Sequence, residues 1–186
     1  MSVLSEFFVM SAVELPTRFP GWLAVRAEVS IREVVNPFTG KKTAEKTWLA
    51  AVDSVMPAAE PAVPDLGSVT RVAFRGIDHV KLAKLIMLMK GGDFKTRIEQ
   101  LARPALIAPA KSDEMGLHRI DDEFAAALAG LDDSRVAKTA AEWAKTEEMW
   151  LARFTAADCE IALCELAKLA QRAKLTAEGL YFYWSL

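Results

Sequence analysis

LDDSRVAKTAAEWAKTEEMWLARFTAADCEIALCELAKLAQRAKLTAEGLYFYWSL, residues 131–186, reads as a helix, a short break, a longer helix and an aromatic tail, Tyr181-Phe182-Tyr183-Trp184. The longer helix carries the clearest signals. Thr155 is a good N-cap residue, and Asp158 three positions later completes a capping-box-like pair. Projected at about 100° per residue, Cys159, Ala162, Leu163, Leu166, Leu169, Ala170 and Ala173 fall on one stripe. Glu160, Glu165, Lys168, Gln171 and Arg172 fall opposite, and Glu165 and Lys168 have the spacing of a solvated helix face. Thr176 to Gly179 ends the helix, with Gly179 able to take a left-handed backbone. Leu180 to Leu186 then reads as a short aromatic strand. The rest of the chain is expected to pack on this stretch.

The helix before it starts near Asp132 or Asp133. Val136, Ala140, Trp143 and Trp150 share one face, with Glu147 between the two tryptophans. If the helix runs on through Trp150, the Glu147 carboxylate leans on an apolar surface and resists ionisation, as a functional acid does. If the helix frays near Glu148, Glu147 meets water or a basic partner. The second arrangement is expected, because buried unpaired carboxylates are rare.

Toward the N-terminus the pattern shortens to strands. Leu4 to Met10 is a short apolar run, read as a buried strand. Ser11 and Glu14 stand at capping-box spacing, and Pro16 and Pro20 allow only a brief helical turn. Val25 to Val35 alternates as a half-buried strand does. Asn36-Pro37-Phe38-Thr39-Gly40-Lys41-Lys42 is a turn, and Thr43 to Val52 returns as the second strand of a hairpin. Met56 to Gly67, with Pro57, Pro61 and Pro64, is a surface connector, and Val69 to Phe74 is another alternating strand.

Asp78 caps a helix over Val80 to Met89 that is apolar nearly all round and stops at Gly91-Gly92. Such a helix is central to the core or lies at an interface, and core is the expected reading. Asp93 to Ala102 reads as a short helix, Leu106 to Ala108 and Leu117 to Ile120 as short strands, and Glu123 to Ala129 as an alanine-rich helix capped by Asp121-Asp122. Strands come first and helices later. The order predicts an α+β fold: one domain over residues 1–186, with mainly antiparallel N-terminal strands packed against a helical C-terminal part that ends in the aromatic strand.

Composition narrows the function classes. Lys and Arg total 23 and Asp and Glu 25 in 186 residues, a balance that argues against a dedicated nucleic-acid binder. The balance hides an asymmetry. Arg71 to Arg103 is basic (Arg71, Arg75, Lys81, Lys84, Lys90, Lys95, Arg97, Arg103) and Asp113 to Glu148 is acidic. The two stretches are expected to pair with each other or to be solvated. Cys159 and Cys164, about 140° apart on one helix, cannot bridge each other, so no disulfide framework is expected and a cytoplasmic setting is the simplest. Met1 to Ala12 carries no basic residue and does not read as a secretory signal, and no apolar run is long enough to span a membrane.

No motif carries a known chemistry. His79 and His118 are about forty residues apart and not at helical ligand spacing, so no metal site is expected, and no cofactor either. Gly40-Lys41-Lys42 lacks the glycine spacing of a nucleotide fingerprint. Cys164 has Lys168 one turn away but reads as inert. The paired carboxylates at Asp121-Asp122, Asp132-Asp133 and Glu147-Glu148 stand at helix ends, where the helix dipole explains the N-terminal pairs. Only Glu147, with His118 or His79 as a partner, is retained as an acid/base candidate.

Ser5-Glu6-Phe7-Phe8-Val9, Asn36-Pro37-Phe38-Thr39-Gly40, Gly76-Ile77-Asp78 with Lys81-Leu82-Ala83, Leu131-Asp132-Asp133, Ala141-Glu142-Trp143-Ala144 with Glu147-Glu148, and Gly179-Leu180-Tyr181…Trp184-Ser185-Leu186 together resemble a group of small uncharacterised bacterial proteins. The similarity spans nearly the whole chain and implies a single α+β domain, with no activity or site residue to carry over.

The expectation is a non-catalytic protein-binding domain, of immunity type in its most specific form, neutralising a toxin. Trp143, Glu147, Glu148 and Trp150 are the expected partner-binding residues. The alternatives are a small enzyme or small-molecule-binding protein with a site around Glu147 and a histidine, or an oligomeric role through the Val80–Met89 helix.

Overall fold

The structure is a computed structural model that describes residues 4–19, 23–35, 42–52, 66, 67, 69–101, 106, 107 and 115–185. In chain order the elements are β1 (Leu4–Met10), a 3-10 turn (Ala12–Glu14), α1 (Leu15–Arg18), β2 (Leu23–Val35), β3 (Lys42–Val52), β4 (Arg71–Arg75), α2 (His79–Lys90), α3 (Phe94–Leu101), β5 (Leu106–Ile107), β6 (Met115–Arg119), α4 (Asp122–Ala129), α5 (Asp133–Trp143), α6 (Glu147–Leu151), α7 (Ala156–Thr176) and β7 (Gly179–Ser185). The fold is α+β, as the order of patterns predicted. The 36–41 part of the expected turn, most of the proline-rich connector, and Trp22 lie outside the described residues.

The strands form one sheet in the order β3-β2-β5-β6-β7-β1-β4, and every neighbouring pair is antiparallel. The expected hairpin forms, with Val25 opposite Val52 and Val35 opposite Lys42. The aromatic strand β7 is central: β1 pairs along its whole length on one side, Leu4 opposite Ser185 and Met10 opposite Gly179, and β6 pairs on the other.

Alternation along β7 gives the sheet two buried faces. Leu180 and Phe182 join Phe7 and Val9 under the helices, in the core with Leu82, Leu85, Leu163 and Leu166. Tyr181 and Tyr183 point the other way and pack with Phe8, Met10, Leu117, Phe19 and Leu66. Phe7 stacks on Phe182 at 4.8 Å, and Phe8 on Tyr181 at 5.8 Å. Such pairs contribute roughly 0.5–1.5 kcal/mol each beyond area burial, enough to favour this β1–β7 register over a one-residue slip that would exchange the faces.

The stripe expected on α7 is buried at every position named, Cys159 through Ala173. The capping box is present: Thr155 Oγ1 accepts from the Asp158 N–H at 3.2 Å, and the Asp158 carboxylate accepts from the Thr155 N–H at 2.8 Å. Asp78 caps α2 by accepting from Lys81 N at 3.0 Å. On α2 the residues Lys81, Leu82, Ala83, Leu85 and Ile86 are buried and Val80, Met87, Leu88 and Met89 are half-buried, so this helix serves the core with most of its surface.

One expectation is corrected and another is refined. Gly179 is not the left-handed residue at the end of α7; Ala177 is, with φ 54°. Gly179 instead lies beneath Tyr181, where a Cβ would stand 2.8 Å from the ring. The expected break before Trp150 forms, a few residues earlier than Glu148: α5 ends at Trp143 and α6 begins at Glu147.

Candidate functional site

α6, Glu147-Glu148-Met149-Trp150-Leu151, has one residue fully inside. Met149 is buried, and its carbonyl accepts the Phe154 N–H at 3.0 Å. A helix this short cannot hide two faces, so its neighbours in sequence face out. Trp150 is 70% exposed and Leu151 64% exposed. Glu147 is exposed in the first turn, where the helix dipole favours an acid.

A second contact fixes the helix to the body. Glu148 Oε1 lies 3.3 Å from Lys84 Nζ of α2, and the same ammonium sits 4.3 Å from the centre of the Phe94 ring on α3. Lys84 therefore ties three helices together. After α6 the chain reverses through Arg153 in a left-handed conformation, φ 61°, into the capping box of α7. Trp150 and Leu151 thus project from a helix held at Met149, at Glu148 and at the turn that follows.

The other expected contact residue, Trp143, is fully buried, and its indole N–H donates to the Lys81 carbonyl at 3.1 Å. It fixes α5 against α2 and offers no surface to a partner.

The two histidines come to one place, and it is not α6. His118 of β6 is buried, stacks on Phe182 at 5.7 Å and accepts at Nε2 from the Trp184 indole N–H at 3.0 Å. The His79 ring, in the first turn of α2, lies 6.2 Å from the Trp184 ring. Trp184 lies across β6 because the residue opposite it is Gly116, where a Cβ would stand 2.7 Å from the indole nitrogen. The accepted hydrogen bond requires His118 to be unprotonated at Nε2. Glu147 makes no ion pair with a described residue, and the side chain that both histidines meet is Trp184.

Cys159 is buried, and burial, with the Asp158 charge nearby, pushes its thiol up to about 11, so it is inert at neutral pH. Cys164 is half-buried and both cysteines are free. Among the described residues no group of three His, Cys, Asp or Glu could hold a metal ion, and no helix is long and apolar enough to cross a membrane.

The basic and acidic stretches do meet. Lys84 pairs with Glu148, and Lys90 with Asp121 at 3.1 Å and Glu123 at 2.6 Å. Reading the sequence missed Leu151 and the role of Lys84. The signal for Leu151 was its place beside Trp150 in a segment with one inward residue, Met149; nothing in the sequence pointed to Lys84. No protein-family model matches the chain, and neither a curated protein nor a solved structure is significantly similar to it.

Proposed function

We propose that this chain is a non-catalytic protein-binding domain whose contact face is α6, and in its most specific form a cytoplasmic, immunity-type bacterial protein that neutralises a toxin. The observation that carries the reading is the adjacent, exposed Trp150 and Leu151 on a helix anchored at Met149 and Glu148. A tryptophan held out by a fixed backbone loses little entropy on binding, and Trp is among the residues that most often dominate an interface. Exposed Glu147 beside it favours a basic partner surface.

A photo-crosslinking residue in place of Trp150, expressed in the source cell, tests this directly. One stoichiometric partner should be captured, and Glu147→Lys together with Leu151→Ala should weaken its binding by about a hundredfold, or near 2.7 kcal/mol, while the circular-dichroism melt is unchanged. The α6 assignment fails if affinity survives those substitutions. The toxin-neutralising form predicts in addition that the partner arrests growth when produced without this chain.

A further inference from the structure

The far edge of the sheet carries a second surface, independent of α6. β4 is an edge strand: β1 pairs with it on one side, and no described residue pairs with it on the other. The Val9 N–H donates to the Thr70 carbonyl at 3.2 Å, in register with Phe7↔Val72 and Ser5↔Phe74. Hydrogen-bonded pairs alternate in an antiparallel ladder. The inward bonds therefore fall at 70, 72 and 74, and the main-chain N–H and C=O groups of Arg71, Ala73 and Arg75 point outward.

Beside this edge a cavity of about 590 Å³ opens between β4 and the C-terminal half of α7. Val72, Leu169 and Leu175 supply its apolar wall, and Leu175 is 86% exposed. Its charge is mainly positive. On α7, Lys168 is paired with Glu165 at 2.6 Å and Arg172 pairs with none of the described carboxylates; on β4, Arg71, paired with Glu6 at 3.2 Å, and Arg75, paired with none of them, alternate with Val72 and Phe74 and so stand on the sheet face turned away from α7. The groove is roughly 18 Å along α7 from the end that follows α6, at 1.5 Å per residue from Ala156 to Lys168.

We infer that the β4–α7 groove binds an extended, acidic segment of a partner protein, which adds to the sheet as an eighth strand next to β4. Strand addition satisfies the outward main-chain groups, and alternate side chains of the guest meet the apolar wall and Arg172 on one face and Arg71 and Arg75 on the other. A second copy of this chain does not suit the edge. Antiparallel self-pairing over the full strand sets Ala73 against Ala73 and Arg71 against Arg75 twice, with like charges directly opposed.

The test is fluorescence anisotropy with a dye-labelled peptide of alternating glutamate and valine, against full-length protein. The peptide should bind, a lysine–valine counterpart should not, and Arg75→Glu with Arg172→Glu should weaken binding by about tenfold. Ala73→Pro should do the same, because it removes one outward N–H and leaves the inward bonds at 72 and 74 in place. If Ala73→Pro does not fold, the acidic peptide methylated on alternate amide nitrogens gives the equivalent readout with unaltered protein: one methylation phase should abolish binding and the other should retain it. The inference is overturned if the acidic peptide does not bind, if neither methylation phase weakens it, if a single-stranded oligonucleotide binds more tightly, or if sedimentation shows a dimer that Ala73→Pro dissociates. None of these readouts depends on Trp150.

Discussion

Gly116 has no side chain because Trp184 occupies the place where one would be. An added Cβ at 2.7 Å from the indole nitrogen must displace the ring, and with it the hydrogen bond to His118. Gly116→Ala should destabilise the protein by about 1–3 kcal/mol, the usual cost of overpacking, read as a lower urea midpoint together with a shifted tryptophan emission. An unchanged midpoint would mean that the Trp184–His118 contact is dispensable. A second consequence concerns alkaline pH. Burial pushes Cys159 from its ordinary 9.0 up to about 11, and burial raises Tyr181 and Tyr183 as well. Groups whose pKa is raised on folding contribute stability that is fully present below their unfolded pKa and lost as pH climbs through the folded one. Stability should therefore fall from about pH 9 upward, and Cys159→Ala should remove part of the fall; a flat urea midpoint between pH 8 and 11 would contradict it. Chemistry at this scale was only half legible. His79 and His118 could be named as candidates, but their shared neighbour Trp184 is more than sixty positions away from either and leaves no local trace.

Caps and stripes were the legible part of each element. Thr155-x-x-Asp158, Asp78 and Asp132 all cap where expected, because an N-cap is decided by four adjacent residues. The break between α5 and α6 was less visible. No glycine or proline lies between Trp143 and Met149, and a continuous helix would set these two side chains about 120° apart. Both are fully buried, each on its own short helix. Tertiary packing therefore decides the break, and it leaves Glu147 in solvent. The end of α7 was misread for a similar reason: glycine is the usual left-handed residue, but Glu178 N–H reaches back to the Ala173 carbonyl at 3.0 Å and puts the reversal at Ala177. Ala177→Gly should relieve that strain and raise stability by about 1 kcal/mol, measured by chemical denaturation. A loss instead would show that the alanine methyl makes a contact outweighing the strain.

At the scale of the molecule, the central position of β7 governs behaviour. Its existence as a strand was readable from Tyr181-Phe182-Tyr183-Trp184, but its place between β6 and β1 was not, because strand order is fixed by which apolar faces must be covered together rather than by local periodicity. Deleting residues 179–185 should leave a chain that fails to give a cooperative thermal transition, whereas removing an edge strand should be milder; a sharp melt from the deleted protein would refute a central role. The β1–β7 ladder also joins residues from opposite ends of the described chain, Leu4 to Ser185, and contacts so distant in sequence slow folding. During synthesis, β1 is made well over a hundred residues before its neighbour β7, so Phe7 and Phe8 lack their partners Phe182 and Tyr181 for that interval. A chain interrupted between these two strands therefore keeps both aromatic faces of β1 without the cover that β7 supplies.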